Sequence, residues 1–187
     1  MANIISDTGF WIEYEEEEHC FIHELSEVIN TYVEENNITT VYDFGCGKGD
    51  YLDYLTSQYP LIKATGFEGH PLDANFDNIL QADLAETLNI EPVDLVISIE
   101  VGEHIPKEFE QTFIDNITNH ATKHIILSWG IPGQLGNGHV NCQENEYVIN
   151  EVVKRGWVFE SDMTQDIRSL MPWMWIKDTV MLFTKAV

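Results

Sequence analysis

Three glycines at alternate positions, Gly45, Gly47 and Gly49, follow the run Thr39-Thr40-Val41-Tyr42-Asp43-Phe44. Glycines so spaced let a ligand come close to the backbone. The loop matches neither common phosphate-binding pattern: GxGxxG would need a glycine where Asp50 stands, and GxxxxGK[ST] is absent. Asp43, two residues ahead of the first glycine, repels phosphate and favours a ligand with a cationic group. A second constellation, Glu100-Val101-Gly102-Glu103-His104-Ile105-Pro106, closes an apolar run. Its histidine has an ordinary pKa near neutrality, which suits general-base chemistry.

The elements that must position these residues alternate along the chain. Phe21, Leu25, Val28, Ile29, Tyr32 and Val33 recur at helical spacing, predicting an amphipathic helix over 18–35. A short strand over 39–44 runs into the glycine loop, and Asp50 is placed to cap the helix that follows. Strands are predicted over 63–68, 94–99 and 124–129. The last two are near-continuous apolar runs, as in strands buried on both faces of a parallel sheet. Helices are predicted over 109–120 and 144–155, and two final strands over 157–160 and 179–184. The link 161–178 is aromatic-rich. Such alternation specifies an α/β fold: a Rossmann-like, doubly wound, mostly parallel seven-stranded sheet with a C-terminal antiparallel hairpin. Ligands in these sheets bind beyond the carboxyl ends of the strands. No composition break divides the chain, so 1–187 is one domain, with an N-terminal helical cap over 1–37 and a core over 38–187.

The chain of 187 residues carries 9 Lys+Arg against 32 Asp+Glu, a formal net charge of −23. That balance argues against a nucleic-acid partner, whose phosphates need clustered cations, and against an anionic membrane surface. No apolar run approaches the ~18 residues of a membrane-spanning helix, and no signal peptide is visible, so a cytoplasmic location is expected. Cys20, Cys46 and Cys142 are far apart and form no CxxC pair. The seven histidines lack paired spacing, and the adjacent Glu103 and His104 would not share a helix face. No metal is therefore expected.

The sequence resembles the class I S-adenosylmethionine-dependent methyltransferases over about residues 38–187. Four features carry the likeness in order: Val41-Tyr42-Asp43-Phe44-Gly45-Cys46-Gly47-Lys48-Gly49, Glu68 in Gly66-Phe67-Glu68-Gly69, Asp83 in Gln81-Ala82-Asp83-Leu84, and the strand ending in Glu100. The resemblance implies S-adenosyl-L-methionine as cofactor. The loop Gly45, Cys46, Gly47, Gly49 would wrap its methionyl part, with Asp43 facing the ammonium. Glu68, beside Gly69, would accept from the ribose hydroxyls. Asp83 would accept from the adenine amino group, with Ala82 and Leu84 beside the ring, and Glu100 and Val101 would lie near the sulfonium. Taken singly, these acids also suit caps or turns. Cys46 is expected to pack rather than react.

Methyl transfer to an oxygen needs a proton removed. His104 is the candidate base and Glu103 could orient it or touch substrate; the alternative for His104 is a helix cap or backbone bond. The stretch Gly130–Asn141 holds four glycines and one proline. It looks like a substrate loop of a viral and bacterial subgroup suspected of modifying sugars or small hydroxyl compounds, which also shows the Glu-Val-Gly-Glu-His-Ile-Pro run. Leu135 and Asn137 depart from that pattern. Trp129, His139 and Asn141 are the substrate-facing candidates. His70 is expected beside the adenine, and His19 over the cofactor mouth. The expected function is O-methyl transfer to a small-molecule or glycan acceptor by a monomer or homodimer. The alternatives are a methyltransferase acting on protein or nucleic acid, or a non-catalytic cofactor-binding protein.

Overall fold

The computed structural model describes residues 4–13, 21–70, 78–172 and 174–186. His19, Cys20, Trp173 and the acidic run from 14 to 18 lie outside them. The strands are β1 (Ile4–Ile5), β2 (Trp11–Glu13), β3 (Thr40–Phe44), β4 (Lys63–Glu68), β5 (Ile79–Gln81), β6 (Val93–Ser98), β7 (Ala121–Leu127), β8 (Trp157–Phe159) and β9 (Met181–Lys185). The helices are α1 (His23–Glu35), α2 (Asp50–Gln58), α3 (Glu110–His120), α4 (Asn145–Val153), α5 (Ser161–Leu170) and α6 (Met174–Thr179).

Seven strands make one sheet in the order β5-β4-β3-β6-β7-β9-β8. The first five pair in parallel, and β9 lies antiparallel between β7 and β8. The alternation of side chains explains the three layers. Val41, Leu95, Ile97 and Ile126 pack against Leu25 and Ile29 of α1, Leu52 and Leu55 of α2, Ile167 of α5 and Ile176 of α6. Phe44, Val96, Ile125 and Leu127 pack on the other face against Phe113 and Ile117 of α3 and Val148 and Val152 of α4. The strand order reverses between β3 and β6, so the switch-point crevice opens there.

Three elements differ from the sequence reading. Residues 4–13 form an antiparallel hairpin, β1–β2, instead of part of a helical cap. Ser6 builds its turn: its carbonyl accepts from the Gly9 amide and its hydroxyl from the Phe10 amide. Gly9 supplies the positive φ of 103° that the turn requires. Helix α1 starts only at His23. Asp50 is the first residue of α2; the capping position belongs to Gly49, with no side-chain cap bond. The expected antiparallel pair β8 and β9 is joined through helices α5 and α6, which fill the link over 161–178.

Candidate functional site

The carboxyl ends of β3, β4 and β6 and the segments after β5 and β7 enclose a cavity of about 340 Å³. One wall is the glycine loop. Gly45 sits at φ 79°, and a Cβ there would lie 2.5 Å from the Val101 side chain, so only glycine lets these two turns meet. The Cys46 sulfur lies against Gly66, and burial pushes its thiol well up, which makes it inert. Asp43, at the end of β3, is 2% exposed and lines the cavity. Burial, with the Glu68 carboxylate second, raises its pKa to about 7. A cationic ligand group beside it would reverse that shift.

Glu68 closes β4 and accepts the Gly47 amide on one oxygen at 2.9 Å and the His70 amide on the other at 3.0 Å. Asp83 accepts the Ala85 amide at 2.9 Å, so it is a turn acid as well as a cavity wall. Leu84, Gly69, Glu100 and Val101 also line the cavity. Gly47, Gly49 and Ala82 are not among its lining residues; they shape the loop and the strand end behind it.

The N-terminal hairpin covers this wall, and no sequence signal considered above pointed to it. The Thr8 hydroxyl donates to Asp83 at 2.7 Å. A Cβ on Gly69 would come within 2.4 Å of Phe10, so that ring is seated directly on Gly69. The Nδ1–H of His70 donates to the Trp11 carbonyl at 2.9 Å. The signal was local, in the turn residues Ser6-Asp7-Thr8-Gly9, but nothing in the sequence says where that turn lands.

The cavity is also lined by Trp11, His104 and His139. The His104 ring meets Trp11 edge-on at 5.5 Å and His139 at 4.9 Å. Glu103 lies behind them, fully buried. Burial foremost, and the neighbouring Glu100 carboxylate, push its pKa well above the usual range, against a smaller pull from the amides of Glu103 and Gly130. Residues 101–106 form turns, not a helix, so adjacency does not keep Glu103 and His104 apart. One ligand atom each from Glu103, His104 and His139 lies within 4.8 Å of the others, close enough to hold a metal ion. The helix-face ground for expecting no metal therefore does not apply here.

Glu100 has an unusual backbone, with φ at 54°. Its amide donates to the Ser128 hydroxyl at 2.8 Å, and its carboxylate accepts from Thr179 and Gln134. It thus ties the loop after β7 to the end of α6. Lys48, Phe21, Tyr51, Gln134 and Trp175 are further lining residues that sequence reasoning did not assign to the site.

Two expected substrate contacts are corrected. Trp129 is fully buried; its indole N–H donates to the Asn141 carbonyl at 2.7 Å, and its ring packs on Phe113 and Gly102. Asn141 is 4% exposed and donates its side-chain amide to Glu110 at 2.9 Å. Both hold the loop in place and neither faces the cavity. The apolar strand β7 continues inward far enough to bury its next aromatic residue, and the buried Glu110 draws in Asn141. Of the three candidates only His139 lines the cavity.

No family model and no curated protein sequence matches the chain. Solved structures do. A sugar N-methyltransferase from Streptoalloteichus superposes with a TM-score of 0.66 at 13% identity, covering 88% of each chain. The magnesium protoporphyrin IX methyltransferase of Synechocystis PCC 6803, solved with S-adenosylmethionine, gives 0.65 at 14%, covering 88% of this chain and 80% of its own. An O-methyltransferase of a Brevibacillus brevis polyketide multienzyme, in complex with S-adenosylhomocysteine, gives 0.64 at 17%, covering 87% and 72%. The chain has the class I methyltransferase fold.

Proposed function

We propose that the protein transfers a methyl group from S-adenosylmethionine to a hydroxyl of a small-molecule or glycan acceptor. The observation that carries this reading is one shared cavity. It is lined by the glycine loop, Asp43, Glu68 and Asp83 and also by His104 and His139, so it can hold donor and acceptor together. Two of the neighbours described above were solved with this cofactor or its product. The net charge of −23 disfavours a nucleic-acid acceptor.

In this reading the backbone at Gly45 and Cys46 receives the methionyl part. Asp43 faces its ammonium, Glu68 the ribose hydroxyls, and Asp83 and Leu84 the adenine. Glu68 and Asp83 keep lone pairs for these bonds beyond those they spend internally. When bound, S-adenosylmethionine would supply the methyl group to an in-line oxygen, the electron pair of the S–C bond staying on sulfur, and His104 would stand by that acceptor oxygen. Holding both partners in that line supplies much of the rate. The acceptor's proton leaves toward His104, with Glu103 and His139 fixing the ring's surroundings.

Calorimetric titration with S-adenosylmethionine and S-adenosylhomocysteine tests this on wild type and Glu68→Ala. Micromolar binding that weakens tenfold or more in the variant, about 1.4 kcal/mol, is expected. Sugars and small alcohols would then be screened as acceptors, with His104→Ala as the catalytic control. A folded protein that binds neither compound would sink the reading.

A further inference from the structure

We propose that Glu103, His104 and His139 bind a first-row divalent metal ion at the wall of the cavity. The proposal begins with Glu103. Its side chain is fully buried, and neither carboxylate oxygen has a well-formed hydrogen bond among the described residues; only the amides of Glu103 and Gly130 and the Glu100 carboxylate lie near. Buried polar groups are overwhelmingly paired, so an acid left in this state calls for a missing partner. The fold goes to some length to keep it there. The Glu103 carbonyl accepts the amides of both Val140 and Asn141 at 2.9 Å, and Gly130 closes on its side chain. The glycine-rich loop is thereby wrapped around the carboxylate and delivers His139 to it.

His139 is oriented as a ligand. Its Nδ1 lies 3.3 Å from the Gln134 carbonyl, which can only accept, and 3.7 Å from the Cys142 sulfur; with the carbonyl as its partner, Nδ1 carries the proton. The lone pair is then on Nε2, which stands 3.9 Å from a Glu103 oxygen. That separation is too long for a hydrogen bond. A lone pair facing a carboxylate is also unfavourable unless a metal ion or a proton lies between them. Bonds of about 2.0–2.2 Å from one ion to nitrogen and oxygen span such a gap with little movement. A backbone carbonyl behind the far ring nitrogen is a common way to orient an imidazole ligand. His104 completes the set, its ring nearly perpendicular to that of His139.

Two imidazoles and a carboxylate suit manganese, iron, cobalt or zinc better than magnesium or calcium. Both histidines line the cavity while Glu103 lies behind them, so the open coordination positions would face the space for the acceptor. The role of the ion, though not its presence, rests on the methyl-transfer reading. Such an ion would hold an acceptor hydroxyl and make its proton easier to lose to solvent water, with no change in its own oxidation state. His104 would then act as a ligand rather than as the base.

Equilibrium dialysis of chelator-stripped protein against Mn²⁺ and Co²⁺, with visible spectra of the Co²⁺ form, tests the site. S-adenosylhomocysteine is titrated in parallel. Wild type is expected to bind one equivalent. His139→Ala and Glu103→Gln should each weaken binding tenfold or more, change the Co²⁺ spectrum and keep S-adenosylhomocysteine affinity. If Glu103→Gln fails to fold, His139→Ala on the loop decides. No stoichiometric binding at millimolar ion overturns the proposal. So does binding unchanged in the variants, which would place the ions on the acidic surface. Metal binding without S-adenosylhomocysteine binding would uphold the site and remove the methyl-transfer reading. The reverse would uphold that reading and remove the site.

Discussion

The hydroxyl of Thr8 donates a 2.7 Å hydrogen bond to the carboxylate of Asp83, fastening the N-terminal hairpin to the turn after β5. This hairpin roofs the wall that carries Glu68 and Gly69. A hydrogen bond to a charged acceptor contributes about 1.5–3 kcal/mol. Thr8→Ala is therefore expected to loosen the hairpin without unfolding the core. Hydrogen exchange should quicken over residues 4–13 while β3 and β6 stay protected. In the proposed function, S-adenosylhomocysteine affinity falls several-fold in the same variant. Unchanged exchange over 4–13 would show that the hairpin is held by other contacts.

Asp43 makes stability depend on pH. Its carboxyl is raised to about 7 in the fold, above the ordinary value near 4. Between those values the folded chain holds a proton that the unfolded chain has lost. Its contribution to stability therefore falls as pH rises from about 4 to 7, then levels off. A shift of about three units corresponds to on the order of 4 kcal/mol. Asp43→Asn should thus gain on wild type across this window in urea denaturation, with the gap largest above pH 7. A ligand ammonium beside Asp43 would pull its pKa back down. Binding of S-adenosylmethionine near pH 6.5 should then release a proton, read by calorimetry in buffers of different ionisation enthalpy.

The core was legible because periodicity and burial agree there. Leu95, Val96 and Ile97 read as a strand covered on both faces, and each is fully buried. The acids at 43, 68, 83 and 100 line one cavity because each stands at or just beyond the carboxyl end of a strand of one parallel layer. What escaped depends on long-range placement. Gly9 marks a turn, but nothing in its neighbours says that Thr8 meets Asp83. Trp129 and Asn141 flank a glycine-rich loop and read as substrate-facing, yet burial against Phe113 and pairing with Glu110 override that local pattern. The meeting of Glu103 with His139 depends on how that loop folds back, which spacing alone does not encode.

The burial of Trp129 predicts a structural phenotype. Trp129→Phe removes the bond to the Asn141 carbonyl and leaves part of a cavity, a cost of about 2 kcal/mol. Gly102→Ala would put a Cβ 2.2 Å from the Trp129 ring, and overpacking of this kind costs about 1–3 kcal/mol. The two changes should be partly compensatory when combined, since they act on one contact. Urea midpoints of the four proteins in the cycle measure this. S-adenosylhomocysteine affinity should be unchanged in Trp129→Phe; a large loss would return Trp129 to the binding site.

Glu100 combines a left-handed backbone with side-chain bonds to Gln134 and Thr179. For a residue with a Cβ, that conformation costs about 1–2 kcal/mol, and glycine escapes it. Glu100→Ala and Glu100→Gly lose the same side-chain bonds, but only the alanine keeps the strain. The glycine variant is therefore expected to be the more stable of the two by about 1 kcal/mol in urea unfolding. Both should free the loop over 130–141, seen as faster hydrogen exchange, because Gln134 loses its acceptor. If alanine matches or exceeds glycine, the turn after β6 stores no strain, and Glu100 holds its place through its side chain alone.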